Sequence, residues 1–100
     1  QDEEVINLYE EMHQEGLFPD AITITFILRA CGNTGAMDVG RQVHEEIIGK
    51  TLFHNNIILN TALIDMYGKC GSPKRAKKVL DKLYVRDVVS WSALGRSRNH

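Results

Sequence analysis

The sequence predicts an all-α fold in which antiparallel helix pairs stack side by side as an α-solenoid. Three observations predict it: a repeat of about thirty-five residues, apolar residues at three-and-four spacing within each repeat, and glycine or proline between these segments. The chain has 100 residues, of which 43% are hydrophobic, and this share is ordinary for a globular chain. A stacked helical array is therefore the expected architecture.

The repeat is visible as matching residues at one fixed offset. Gly71 follows Gly35 by thirty-six residues, and Val79 follows Val43 by the same distance. Further matches at this offset join Gly40 to Ala76 and Ile47 to Leu83. Small residues at the place of Gly40 and Ala76 are expected to let neighbouring helices approach closely.

The register divides the chain into four segments, and each complete repeat is expected to hold two helices. Because the chain opens within a helical pattern and lacks an initiator methionine, we expect it to be part of a longer protein. The segments are the second helix of an incomplete repeat over 1–20, a complete repeat over 21–56, a shorter complete repeat over 57–87, and the first helix of a truncated repeat over 88–100.

In the first complete repeat, helices are expected at roughly 22–32 and 36–50. Phe26, Ile27 and Ala30 are spaced to share one face of the first of these helices. The many Ile and Thr residues at 21–28 favour a strand by propensity alone, and the repeat overrides that preference.

In the second complete repeat, the first helix is expected over 58–69 and is closed by Gly71. Ser72 is a natural N-cap, and Pro73 fits the first position of the next helix. The buried stripe of that helix is expected to hold Ala76, Val79, Leu80 and Leu83.

Charge is unevenly distributed, although the formal net charge is −1. Residues 1–20 carry seven acidic side chains and no lysine or arginine, whereas residues 69–86 carry seven basic side chains and one acidic side chain. A basic segment attracts phosphates, but a solvated helix face has the same composition. Cys31 and Cys70 belong to no CxxC pair, which favours small buried thiols and leaves a disulfide open.

The sequence holds no catalytic constellation, no metal site and no cofactor motif. His44 and Glu45 begin an HExxH-like pattern, but Ile48 stands where the second histidine is needed. His13 and Glu15 have the spacing of zinc nucleobase deaminases, without the PCxxC that such enzymes need. No apolar run is long enough to span a bilayer. A binding protein, and not an enzyme, is expected.

Four stretches resemble the pentatricopeptide repeat family and together cover nearly the whole chain. The mixture of long and short repeats resembles the class found in land-plant organellar proteins, with a long-type repeat at 21–56 and a short-type repeat at 57–87. The stretches are LYEEM and GLFPD within 8–20, the segment 23–31 that ends in RAC, ALIDMYGKCG at 62–71, and RDVVSWSAL at 86–94.

The resemblance implies a tetratricopeptide-like right-handed superhelix whose first helices line the inner surface. Single-stranded RNA lies on that surface in the family, with about one base per repeat. The family reads each base with the fifth and the last residue of a repeat. The implied base-reading residues are Thr25 with Asn56, Thr61 with Asp87, Asp20 in the incomplete first repeat and Ser92 in the truncated last one.

Further contacts follow from the same resemblance. Ile22, Ile58 and Val89, at the second position of their repeats, would sandwich the bases, and Lys69 matches the family's phosphate-facing lysine. In the family, Thr with Asp prefers guanine, and Thr with Asn prefers adenine.

The donor and acceptor chemistry agrees with these preferences. A carboxylate such as Asp87 accepts from the N1–H and N2–H of guanine, and an amide such as Asn56 both donates to and accepts from adenine, although it also suits other bases. A plainer interpretation remains open. Thr25 and Thr61 would then be polar residues on a solvated face, and Asp20 and Asp87 would be helix caps.

The resemblance implies single-stranded RNA and other RNA-processing proteins as partners, no membrane, and a place in the mitochondrion or chloroplast. The expected role is that of an adaptor in organellar RNA editing or processing. The alternatives are a helical-repeat module for protein–protein interaction and a truncated product without its own function. Because solenoids need about three repeats for stability, we also expect marginal stability or self-association through exposed repeat ends.

Overall fold

The computed structural model of the protein describes residues 1–50 and 56–82. No strand occurs within these ranges, so the predicted all-α fold is confirmed, and the Ile- and Thr-rich stretch at 21–28 is helical. The helices are α1 (Asp2–Gln14), α2 (Ala21–Thr34), α3 (Met37–Gly49), α4 (Ile57–Lys69) and α5, described over 73–82.

Helix α2 is the centre of the packing. It contacts α1, α3 and α4, and α3 also contacts α4. The two first helices, α2 and α4, therefore lie side by side, and α3 packs against both of them. This arrangement is the stacked helical array that the repeat predicts.

The turns that end the first helices repeat along the chain. Gly35 and Gly71 have φ values of 75° and 81°, in the left-handed region that favours glycine. Immediately after them, the Ala36 N–H donates to the Cys31 carbonyl at 3.0 Å and the Ser72 N–H to the Tyr67 carbonyl at 2.8 Å. The two turns stand thirty-six residues apart, so the sequence period is also a structural period.

The core formed by residues 1–50 and 56–82 is aliphatic, with two buried tyrosines. It confirms the predicted burial of Ile27, Ala30 and Val79. Its other members among the described residues are Ile6, Tyr9, Ile24, Leu28, Cys31, Val43, Ile47, Leu59, Leu63, Met66 and Tyr67.

Two apolar residues expected on a buried face are about half exposed, so that expectation is wrong for them. Phe26 is 53% and Leu80 is 51% exposed. Successive residues of a helix point about 100° apart, and the buried neighbours Ile27 and Val79 take the inward direction at these two places. Leu83, the last residue of the predicted stripe, lies outside the described residues.

Close helix approach at Gly40 is confirmed. A Cβ placed on Gly40 would lie 2.6 Å from both Sδ and Cε of Met66 on α4. Met66 is itself buried, so α3 and α4 are packed at a separation that a larger side chain would disturb.

The two cysteines are free thiols. Cys31 is buried, as expected, and burial raises its pKa to about 12. The Cys70 thiol is half-buried and donates to the Cys31 carbonyl at 3.4 Å. The contact joins α2 to the end of α4 without a disulfide.

Candidate functional site

An open cleft of about 410 Å³ lies between α2 and α4. Thr25 and Thr61, the fifth residues of the two complete repeats, line it from the two neighbouring helices. Two residues predicted to read successive bases are therefore brought to one surface. The remaining lining residues are Arg29, Ile57, Ile58, Ala62 and Asp65.

Helix periodicity explains why these side chains face the cleft. Arg29 stands four residues after Thr25, and Asp65 stands four residues after Thr61, and this spacing places side chains on one helix face. The opposite faces of α2 and α4 are anchored in the core by residues such as Ile27 and Leu63. Burial of these anchors fixes the rotation of each helix and so leaves the threonines outward.

Apolar side chains are exposed at this surface. Ile58, which lines the cleft, is 68% exposed, and Ile22, at the same position of the preceding repeat, is 71% exposed. Solvent contact by such large aliphatic groups has a free-energy cost, which a partner that covers them would reduce. Ile22 does not belong to the cleft lining itself.

The two threonines differ in their local bonding. The Thr25 hydroxyl donates to the Ala21 carbonyl at 2.9 Å, and its oxygen can still accept. Thr61 is exposed. The hydroxyl of Thr61 is therefore the more accessible donor and acceptor of the two.

The last residues of the repeats serve as helix caps. Asp20 Oδ1 accepts from the Thr23 N–H at 2.8 Å, and Asn56 Oδ1 accepts from the Leu59 N–H at 3.1 Å. These bonds satisfy N–H groups that α2 and α4 leave without an internal partner. The plainer interpretation of Asp20 as a cap is confirmed, and the proposed reading role of Asp20 and Asn56 stays a prediction.

Lys69 lies at the end of α4, next to the cleft. Its Nζ lies 3.3 Å from Asp65 Oδ2 and 3.5 Å from Asn33 Oδ1. Asn33 stands thirty-six residues before Lys69, so the two share one repeat position. The ammonium group of Lys69 thus bridges two neighbouring repeats at the rim of the candidate surface.

Three predicted site residues, Asp87, Val89 and Ser92, lie outside the described residues. Their proposed roles stay predictions.

Sequence reasoning missed Arg29 and Asp65 as residues of the cleft. Both were identifiable, since each stands one helical turn after a predicted reading threonine, and they are thirty-six residues apart. The Arg29 guanidinium lies 5.9 Å from the centroid of the exposed Phe26 ring, within the range of a cation–π contact. The cleft therefore contains a cation on α2 and a carboxylate on α4.

Other kinds of site were also sought in the described part of the chain. Residues 1–50 and 56–82 contain no group of three or more His, Cys, Asp or Glu side chains placed to hold a metal ion. Within the same ranges, no helix has the length and apolar character needed to cross a bilayer.

Paired helices, turns that recur at a fixed period, and a cleft shared by neighbouring first helices define an α-helical repeat protein. A family model for the PPR repeat matches residues 61–88. The chain belongs to the pentatricopeptide repeat family.

Relatives from Arabidopsis thaliana support this assignment. One pentatricopeptide repeat-containing protein is 45% identical over 91 residues, which are 91% of this chain and 13% of the relative. A mitochondrial one is 41% identical over 91% of this chain and 14% of its own length. A chloroplastic one is 40% identical over 92% of this chain and 15% of its own length. The chain thus spans less than a fifth of each of these relatives.

Proposed function

We propose that the chain binds single-stranded RNA along the surface formed by α2 and α4. Thr25 and Thr61 read successive bases, Ile22 and Ile58 contact the base faces, and Lys69 contacts a phosphate. The observation that carries the proposal is the shared cleft, because it presents the fifth residues of two neighbouring repeats on one open surface.

The chemistry of the surface supports this proposal. Bases are held by stacking or apolar contact on their faces and by hydrogen bonds on their edges. Exposed Ile58 offers the first kind of contact and the Thr61 hydroxyl the second. Arg29 on α2 adds a cation that can pair with a phosphate.

In the proposed base preference, Thr25 with Asn56 selects adenine and Thr61 with Asp87 selects guanine. Two complete repeats contact two bases, so the affinity of this chain alone is low. The role proposed for the whole protein is that of an adaptor in organellar RNA editing or processing, in the mitochondrion or chloroplast, as the names of two relatives suggest.

The test is a titration of the full chain with short RNAs, followed through the methyl NMR signals of Ile58 and Thr61. An RNA that carries adenine followed by guanine is expected to shift these signals and to bind at least about fivefold more tightly than one with cytosine in place of guanine, since a lost base contact costs about 1–3 kcal/mol. Thr61→Asn is expected to remove the preference for guanine.

Thr34→Asn is the matched control. Thr34 is exposed on α2, but it does not line the cleft, so this variant is expected to keep the preference for guanine. Equal binding of both RNAs by the unaltered chain would contradict the base assignment. If RNA shifts neither methyl signal, in this chain or in a longer one that contains it, RNA binding itself is wrong and a protein-binding role is favoured.

A further inference from the structure

A second cleft lies where α3, α4 and α5 meet. It is small, at about 90 Å³, and shares no lining residue with the cleft between α2 and α4. It includes three of the seven basic residues of segment 69–86, of which the RNA-binding proposal uses only Lys69. Its lining residues are His44, Tyr67, Arg75, Lys78, Val79 and Lys82.

The cations of this basic cleft come from one face of α5. Arg75, Lys78 and Lys82 stand at three-and-four spacing, which places them on one side of the helix. Val79 is buried, so the rotation of α5 is set by the core. None of the three cations forms an ion pair with a carboxylate within 1–50 and 56–82. Their charges therefore gather at the cleft, where Glu45, which acts on both His44 and Tyr67, offsets them only in part and without a direct ion pair.

Two lining residues of the basic cleft, His44 and Tyr67, are in contact with each other. His44 Nδ1 and Tyr67 Oη lie 2.8 Å apart, with the two rings in an edge-on contact. Burial, followed by the charges of Lys82 and Arg75, lowers the pKa of His44, while Glu45 opposes this effect. His44 is therefore neutral at neutral pH, and its surroundings are predominantly positive.

We propose that the basic cleft binds a phosphate dianion, either free or at the end of a phosphate ester. An arginine fork and two lysine ammonium groups supply the charge-assisted hydrogen bonds that such an oxyanion requires. The small volume suits one tetrahedral anion. A phosphodiester has one negative charge and two bulky substituents, so it fits the site less well.

The test uses the full chain with a ¹³C-labelled histidine ring, titrated at constant ionic strength. Inorganic phosphate is expected to shift the His44 signal saturably and to raise the pKa of His44, because a bound dianion offsets Lys82 and Arg75. Chloride at the same ionic strength is expected to do neither. Dimethyl phosphate is expected to bind at least about tenfold more weakly, since hydrogen bonds to charged groups are lost.

Two double variants with the same change in net charge provide the control. Lys78→Ala with Lys82→Ala is expected to weaken phosphate binding about tenfold or more. Lys74→Ala with Lys77→Ala removes two exposed lysines of α5 that do not line the cleft, and is expected to change binding less than about twofold. Equal losses in both pairs, or equal shifts with chloride, would overturn the proposal.

A third ligand separates the two sources of phosphate. Uridine 5′-monophosphate that shifts His44 as strongly as inorganic phosphate would support binding of a terminal phosphate ester. If only inorganic phosphate binds, the free ion is supported. Dimethyl phosphate that binds as tightly as inorganic phosphate would overturn the assignment to a dianion.

Discussion

Asp20 and Asn56 each combine a structural task with a proposed recognition task. One side-chain oxygen of each residue caps the helix that begins the next repeat. Asp20 retains a second carboxylate oxygen and Asn56 an amide NH₂, so capping does not use all of their hydrogen-bonding capacity. A cap fixes the direction of the side chain, and a residue that reads a base benefits from the same rigidity.

The cap formed by Asn56 can be tested on stability. Asn56→Ala is expected to lower the free energy of unfolding by about 1 kcal/mol, because the Leu59 N–H at the start of α4 loses its acceptor. Urea denaturation followed by circular dichroism measures the change. Asn56→Ser retains a capping oxygen and is expected to stay close to the original stability. An equal loss in both variants would show that the cap contributes nothing.

The contribution of the Asp20 cap to the free energy of unfolding is expected to depend on pH. The hydrogen bonds between Asp20 and Thr23 lower the pKa of this carboxyl in the folded chain, so the folded state favours the ionised form. The resulting stability is present above the pKa of the unfolded chain and is lost as pH falls through the lower, folded value.

Asp20→Asn provides the comparison, because a neutral amide caps at every pH. The stability advantage of the unaltered chain over this variant is expected to be largest at neutral pH and to shrink in acid. Urea midpoints measured for both proteins over a pH series give that difference. A difference that stays constant through the acidic range would contradict the assigned cause.

At the scale of helices, Gly40 on α3 leaves room for the end of the Met66 side chain on α4. In Gly40→Ala the new methyl group overlaps the far end of the Met66 side chain, which is flexible but buried, so the packing cost is expected at the low end of the usual range, about 1 kcal/mol. The better helix propensity of alanine offsets up to about 1 kcal/mol of this cost. Urea denaturation measures the net effect.

Two further variants separate packing from propensity. Gly49→Ala, in the same helix, meets no atom within 4 Å and is not expected to destabilise the chain. In a Met66→Ala background, Gly40→Ala is expected to become neutral or stabilising, because the overlapping atoms are gone. Additive effects of the Gly40 and Met66 substitutions would mean that the two residues are not coupled.

At the scale of the whole molecule, neighbouring repeats are joined by polar contacts as well as by the core. Glu46 on α3 accepts from the Tyr9 hydroxyl at 2.6 Å, and the same oxygen lies 2.8 Å from His13 Nδ1. Burial and the proximity of Glu46 raise the pKa of Tyr9, so its hydroxyl stays protonated and remains a donor. These contacts connect α1 with α3, which belongs to the following repeat.

The two buried tyrosines allow a matched comparison of such contacts. Tyr9→Phe is expected to cost about 1.5–3 kcal/mol of stability because its acceptor is a carboxylate, whereas Tyr67→Phe, which loses a bond to His44, is expected to cost about 0.5–1.5 kcal/mol. Urea denaturation measures both.

Hydrogen exchange localises the effect of Tyr9→Phe. Repeats contact mainly their neighbours, so protection is expected to fall more in α1 than in α4. Uniform loss of protection across the helices would indicate that the chain unfolds as one cooperative unit. Self-association through exposed repeat ends stays a prediction, which sedimentation velocity at increasing protein concentration would test.

The sequence by itself determined the helical repeat, the glycine turns and the candidate reading positions. The fixed offset between Gly35 and Gly71 can be found by counting residues alone. A stacked array repeats its turns wherever it repeats its helices, so the same offset separates the two glycine turns in the structure. The placement of Thr25 and Thr61 at equivalent positions of two first helices follows from the same register.

Only the tertiary structure decided which neighbouring side chains meet across helices. Phe26 and Leu80 have the apolar character of core residues, yet they face outward, because the rotation of each helix depends on all of its partners together. The cleft that joins Thr25 to Asp65 and the basic cleft that joins His44 to Lys82 each combine residues from different helices. Sequence spacing describes one helix face at a time, and the distance between two helices is set by packing.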